Sequence, residues 1–173
     1  AHLGDSAITV PRTKVLLTQL EIPLPVVIDA LTQARQQNSV TVLNPAPATA
    51  LTKELLSLCD IAVPNKTESE ELGGTQVLLG AGVATVITTL GEQGAEISDA
   101  TATTLVSAYK VDAIDTVGAG DAFVGALCAE IARGADIHHA SEIASIAGAL
   151  ATTVRGAVPS LPQRAAVMSL YAD

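Results

Sequence analysis

Runs of apolar, β-rich residues alternate along this chain with stretches of helical periodicity, and that alternation constrains the fold more than any other feature. Lys14–Gln19, Val40–Leu43, Asp60–Val63 and Ala84–Thr89 read as strands. Pro23–Gln37, Thr52–Leu58 and Thr67–Leu72 read as helices between them, with Val27, Leu31 and Ala34 on one face of the first. Asn44-Pro45-Ala46-Pro47 ends the second strand, Pro64 the third, and Gly73-Gly74 stops the third helix. Ala95–Ser98 and Thr103–Ser107 read as an antiparallel pair around a turn at Asp99–Ala102. A strand over Tyr109–Ile114, a glycine turn, a helix over Gly120–Ile131, an alanine-rich helix at about His138–Val154 and a last helix over Pro162–Tyr171 complete the pattern. Strands alternating with helices imply an α/β fold, a parallel sheet covered on both faces. Ligands then sit at the C-terminal ends of the strands. One connection is short: about nine residues join Gly74 to Ala84, little room for a crossover helix.

Composition narrows the class. At 173 residues and 49% hydrophobic, the chain can bury one substantial core and does not read as disordered. Aromatics make up only 2%, so a stacking platform for bases or sugars is not expected. The net charge of −9 argues against nucleic acid and against anionic membrane surfaces. No apolar run approaches the roughly 20 residues of a membrane helix. Ala1-His2-Leu3-Gly4-Asp5 lacks the basic and apolar regions of a signal peptide. Two cysteines, Cys59 and Cys128, both in apolar stretches, fit a reducing, cytoplasmic compartment. His138 and His139 are adjacent and would point apart on a helix, so they suggest no metal site.

The chemistry concentrates in Asp115-Thr116-Val117-Gly118-Ala119-Gly120-Asp121. A glycine turn opening a helix presents N–H groups to an anion. Asp121, in the first helical turn, would be placed to take a proton from a hydroxyl attacking phosphorus. Plain N-capping by Asp121 is the competing reading. Asn65 and Glu68, three apart, would share a helix face, or simply form an Asn cap with an acidic first turn. Thr89-Leu90-Gly91-Glu92-Gln93-Gly94 leaves a strand with two glycines three apart, either a phosphate loop or an ordinary tight turn. No Walker-type phosphate loop is present.

These segments resemble the ribokinase/PfkB family of carbohydrate kinases. Asp115–Phe123 is similar, almost residue for residue, to the family's second signature. Asn65-Lys66-Thr67-Glu68 resembles its Asn-x-x-Glu motif, and Thr89–Gly94 its nucleotide-binding Thr-Leu-Gly-x-x-Gly loop. Gly156-Ala157-Val158-Pro159-Ser160 resembles the segment that helps hold a monovalent cation. Gln19-Leu20-Glu21-Ile22-Pro23 and Asn44-Pro45-Ala46-Pro47-Ala48 are similar to the ribokinase branch. The motifs stand in family order along essentially the whole chain.

The resemblance implies a ribokinase-like three-layer αβα sandwich with a mostly parallel sheet, here as a partial domain lacking the N-terminal strands, the β-lid and a Gly-Gly sugar signature. It implies ATP-dependent phosphorylation of D-ribose at the 5-hydroxyl, weak or absent in this chain alone. Asp121 would be the base, with the amides of Gly118, Ala119, Gly120 and Asp121 stabilising the transferring phosphoryl group. Asn65 and Glu68 would organise Mg²⁺ and the phosphates, largely through water. Thr89, Leu90, Gly91, Glu92, Gln93 and Gly94 would contact the nucleotide. Ser145 falls where the family often has Asn or His near the adenine. Glu21 would bind sugar hydroxyls. Asp115, the carbonyl of Val117 and oxygens at Ala151, Val154, Gly156 and Ser160 would hold K⁺. Family lids often pair, implying a homodimer of the intact protein. The alternatives are a kinase for another sugar or a nucleoside, and a non-catalytic nucleotide-binding fragment.

Overall fold

The computed structural model describes residues 8–171. The Ala1–Asp5 segment, read above for signal-peptide features, lies outside the described residues. Six strands form one sheet, in which they lie side by side in sequence order. By internal contacts the chain divides into two units, residues 1–88 with 98–103, and residues 89–97 with 104–173.

The first unit carries β1 (Val15–Thr18), β2 (Val40–Leu43), β3 (Ile61–Ala62) and most of β4 (Thr85–Thr89). These strands pair in parallel, with Val15 opposite Val40, Val42 opposite Ile61 and Ile61 opposite Thr85. Parallel neighbours require crossovers, supplied here by α1 (Leu24–Gln36), α2 (Lys53–Ser57), α3 (Lys66–Glu71) and α4 (Thr75–Gly80). The short connection before β4 thus does hold a helix, of six residues. Helix α1 begins with prolines, which suit a first turn because its N–H groups have no helical partner anyway. It buries Val27, Ala30, Leu31 and Ala34, which include the face read from the sequence. Val27 and Leu31 join Leu43, Leu55, Leu78 and Val86 in the core, each of these six at most 1% exposed. A fully buried Leu or Val of this kind contributes about 1.5–3 kcal/mol.

The second unit carries a 3₁₀ turn (Gly91–Gln93), most of β5 (Ala95–Ser98) and β6 (Thr103–Val106), and helices α5 (Ala119–Arg133), α6 (Ile137–Ala151), α7 (Ala157–Ser160) and α8 (Arg164–Tyr171). Gly134, in the left-handed region at φ 98°, closes α5. Asp136 caps α6 by accepting the His139 N–H at 2.9 Å. Ile143, Ile146 and Ala147 of α6 pack with Val167 of α8 into a second core, flanked by Tyr109.

Two expectations are corrected. Residues 109–114 are not a strand. The Ile114 and Asp115 N–H groups both donate to the Thr152 carbonyl just past α6, at 2.7 and 3.0 Å, rather than to a strand. Ile114 is 61% exposed, so its apolar character does not mark a buried strand end. Helix α6 stops at Ala151, three residues before Val154, where the Thr152 and Thr153 hydroxyls bond back to the Ala149 and Leu150 carbonyls. The segment Gly156–Ser160 contains the short helix α7. Among the described residues no helix is long and apolar enough to cross a membrane. No cluster of three or more His, Cys, Asp or Glu is placed to hold a metal among them.

Candidate active site

The start of α5 is built by glycine. Gly118 holds φ 84°, ψ −3°, a left-handed conformation that side chains disfavour. A Cβ there would stand 3.0 Å from Ala157 Cα and 3.2 Å from its carbonyl oxygen. The turn is therefore seated against α7, and only glycine fits. Gly118 is the N-cap residue and supplies no side-chain cap. Asp121 is thus not the N-cap residue. It is exposed in the first turn, where the helix dipole favours a carboxylate. Gly120 is exposed, with no atom within 4 Å of where a Cβ would project, so this face of the helix start is open to a ligand.

Asp115 fastens the turn to the loop after α6. Its Oδ2 accepts the Gly156 N–H at 2.9 Å and its Oδ1 accepts the Val117 N–H at 3.1 Å. Those bonds, Gly156 first and then Val117, hold its carboxyl below the ordinary aspartate value, aided by the charge of Arg155. Of the residues implied in K⁺ binding, Asp115, Val117 and Gly156 are therefore brought into contact. Ser160 is buried and its hydroxyl donates to the Ala157 carbonyl at 2.8 Å. The Ala151 carbonyl accepts the Val154 N–H at 3.5 Å.

A cavity of about 920 Å³ opens within the second unit. Thr89, Gly91, Glu92 and Gly94 line it from the loop after β4, Ala119 and Gly120 from the start of α5, and Ser145 from α6. Leu90, Gln93, Gly118 and Asp121 are not among its lining residues. In that loop the Leu90 N–H donates to the Gly94 carbonyl at 2.8 Å, closing the turn. The Ser145 hydroxyl donates to the Ser107 carbonyl at 3.1 Å, so its proton is committed to backbone at the place expected to face a base. The sequence reading missed one whole wall, residues 108–113, because it gave most of them to a strand. Lys110 is the basic lining residue, and its place in sequence two positions before the acidic Asp112, which also lines the cavity, is the signal that was available.

The first unit holds the remaining candidates. Asn65 caps α3: its Oδ1 accepts the Glu68 N–H at 2.8 Å, and Glu68 Oε2 accepts the Asn65 N–H at 2.8 Å. This reciprocal capping box is the local reading of the pair. Asn65 stands at the helix boundary, which is the cap that the spacing left open beside a shared face. Glu21 is exposed in the bend between β1 and α1.

The fold and the turn define a class, α/β proteins with a glycine-built helix start beside a cavity. The chain belongs to the pfkB family of carbohydrate kinases, whose model, pfkB family carbohydrate kinase, matches residues 7–164. A ribokinase of Staphylococcus aureus (strain COL) is 41% identical over 160 residues, covering 85% of this chain and 53% of the relative. The structure of ribokinase from Thermotoga maritima matches with a TM-score of 0.84 and 29% identity, covering 92% of this chain and 57% of that one. Arabidopsis thaliana ribokinase, complexed with ribose and ATP, matches with a TM-score of 0.83 and 27% identity, over 91% of this chain and 55% of that one. These likenesses bear out the ribokinase-like three-layer fold with its mostly parallel sheet. The chain spans about half the length of the curated relatives it matches.

Proposed function

We propose that this protein is an ATP-dependent sugar kinase that phosphorylates D-ribose at the 5-hydroxyl. The observation that carries the reading is the start of α5, where left-handed Gly118, open Gly120 and first-turn Asp121 follow one another beside the cavity. Support comes from the 41% identity to a ribokinase and from a fold neighbour solved with ribose and ATP. In this reading the cavity takes the nucleotide, and the amides of Gly118–Asp121, of which that of Ala119 also donates to the Thr116 carbonyl at 3.2 Å, stabilise the transferring phosphoryl group as fixed dipoles do for developing charge. Asp121 accepts the proton of the attacking hydroxyl. Glu21 accepts hydroxyl donors from the sugar, as an ionised carboxylate does.

Asn65 and Glu68 offer the oxygen donors that suit a largely hydrated Mg²⁺. The capping bond engages Oε2 of Glu68, one of two carboxylate oxygens. Mg²⁺, when bound, neutralises phosphate charge. Asp115, the Val117 carbonyl and oxygens at Ala151, Val154, Gly156 and Ser160 form an all-oxygen donor set that suits K⁺. The bonds from Asp115 to Val117 and Gly156 already give those loops their shape.

The test is an ADP-release assay on the full-length enzyme with D-ribose, other pentoses and nucleosides. Asp121→Asn is expected to lower kcat by roughly 10²–10⁴-fold, the usual yield of a positioned base. Near-wild-type turnover would remove Asp121 from the base role, and preference for another acceptor would reassign the substrate. Spanning about half of its relatives' length, this chain alone is expected to turn over weakly at most.

A further inference from the structure

The seat under the anion turn has a second side, and it is a glycine in the middle of a helix. Gly148 lies in α6, among Ala144, Ala147, Ala149 and Ala151. Its backbone does not adopt the left-handed conformation that would itself call for glycine. Glycine is a poorer helix former than alanine, so this position weakens α6 locally. The neighbours explain why it is there. A Cβ on Gly148 would stand 3.3 Å from the Ala119 carbonyl oxygen and 3.5 Å from Phe123 Cβ. Both belong to the start of α5, and Gly148, Ala119, Gly120 and Phe123 all line the cavity.

The first turn of α5 is therefore clamped from two directions. Gly118 rests on Ala157, and Ala119 with Phe123 rests on the bare backbone of Gly148. Ala119 is the first residue of the helix, so the peptide whose oxygen meets Gly148 is the one that carries the Gly120 N–H. Moving that carbonyl moves the donor. A methyl group at 3.3 Å from it forces a shift of a few tenths of an ångström. Charge-assisted hydrogen bonds are short and directional, so such a shift costs binding even when the fold accommodates it.

We propose that Gly148 is a positioning residue that sets how far the amides at the start of α5 reach into the cavity, and so tunes affinity for the nucleotide's phosphates. This rests on the reading of the cavity as the nucleotide site. It separates two properties that a merely structural contact would move together. Gly148→Ala raises helix propensity while displacing the amides. Gly125 supplies the control, since it lies in α5, is exposed and has no atom within 4 Å of where a Cβ would project.

The experiment is titration calorimetry of this chain with MgATP for wild type, Gly148→Ala, Gly125→Ala and the double variant, with melting temperatures and backbone amide shifts of Ala119 and Gly120. Gly148→Ala is expected to weaken MgATP binding roughly tenfold with an unchanged or higher melting temperature, and to move both amide shifts without ligand. Gly125→Ala is expected to leave affinity and those shifts unchanged. The double variant, with the helix gain of Gly125→Ala, keeps the measurement available if the single variant folds poorly. Wild-type affinity in Gly148→Ala overturns the assignment. A loss of affinity that follows lost stability and recovers in the double variant overturns it too. A wild-type chain that takes up no MgATP instead removes the nucleotide reading itself, and the inference with it.

Discussion

Helix α5 carries the glycine turn at one end and an asymmetric ion pair at the other. Glu130, near its C-terminus, has a side chain only 6% exposed, while that of its partner Arg164 in α8 is 49% exposed. The guanidinium grips both carboxylate oxygens, Nε to Oε1 at 2.8 Å and Nη2 to Oε2 at 3.1 Å. Arg133 approaches Oε1 at 3.4 Å. The two possible deletions are therefore unequal. Arg164→Met strands a buried carboxylate. Its expected cost is about 2–3 kcal/mol, below the ~3–5 kcal/mol for breaking a fully buried pair, because Arg133 remains and Arg164 is half in water. Glu130→Gln keeps the shape and leaves Arg164 to be hydrated, for about 1 kcal/mol.

Hydrogen bonds from Arg164 hold the Glu130 carboxyl below the ordinary value, against a desolvation that pushes it up. A folded value below the unfolded one means that this contribution is complete above about pH 4.3 and is lost as pH falls through the folded value. Thermal unfolding by far-UV circular dichroism measures both effects. For a chain of this size roughly 2–4 °C accompanies each kcal/mol, so Arg164→Met should melt several degrees lower than wild type near neutrality. That gap should narrow in acid. Equal costs for Arg164→Met and Glu130→Gln, or a gap that stays constant down to about pH 3, would refute the argument from unequal burial.

Two further outcomes follow from local geometry. Asn65→Ala removes the side-chain half of the capping box and is expected to destabilise the chain by about 1 kcal/mol in urea unfolding, with Asn65→Ser restoring most of it; no loss with Ala would mean the box does not hold α3. Burial pushes the thiols of Cys59 and Cys128 up to about 12 and about 11, so neither should label with iodoacetamide at about pH 8 in the folded chain, while both should label in denaturant.

Much of the fold was legible because it rests on periodicity and punctuation. The apolar face of α1 falls at helical spacing, and β2 ends where Asn44-Pro45 begins. The Tyr109–Ile114 segment misled because alternating apolar residues also occur where a loop docks. Tyr109 packs beside the α6 and α8 core while Ile114 stays in water. For Asn65 and Glu68, spacing alone left a cap and a shared ligand face open, and the capping bonds show the cap. The site motifs were legible as types of residue at fixed offsets. That Ser145 commits its proton to Ser107, 38 positions away, was not, because the partner is distant in sequence.

By itself the sequence determined the alternation of strands and helices, the acidic and aromatic-poor character, and the glycine turn with a carboxylate at each end. These are local properties, written in neighbouring residues and visible without a partner. Tertiary structure alone decided how that turn is held: Gly118 seated on Ala157, Asp115 bonded to Gly156 forty-one positions on, and Gly148 bared beneath the first turn of α5. Nothing near Gly148 in sequence marks it. Its role exists only where two helices approach closely enough that one methyl group would move a peptide.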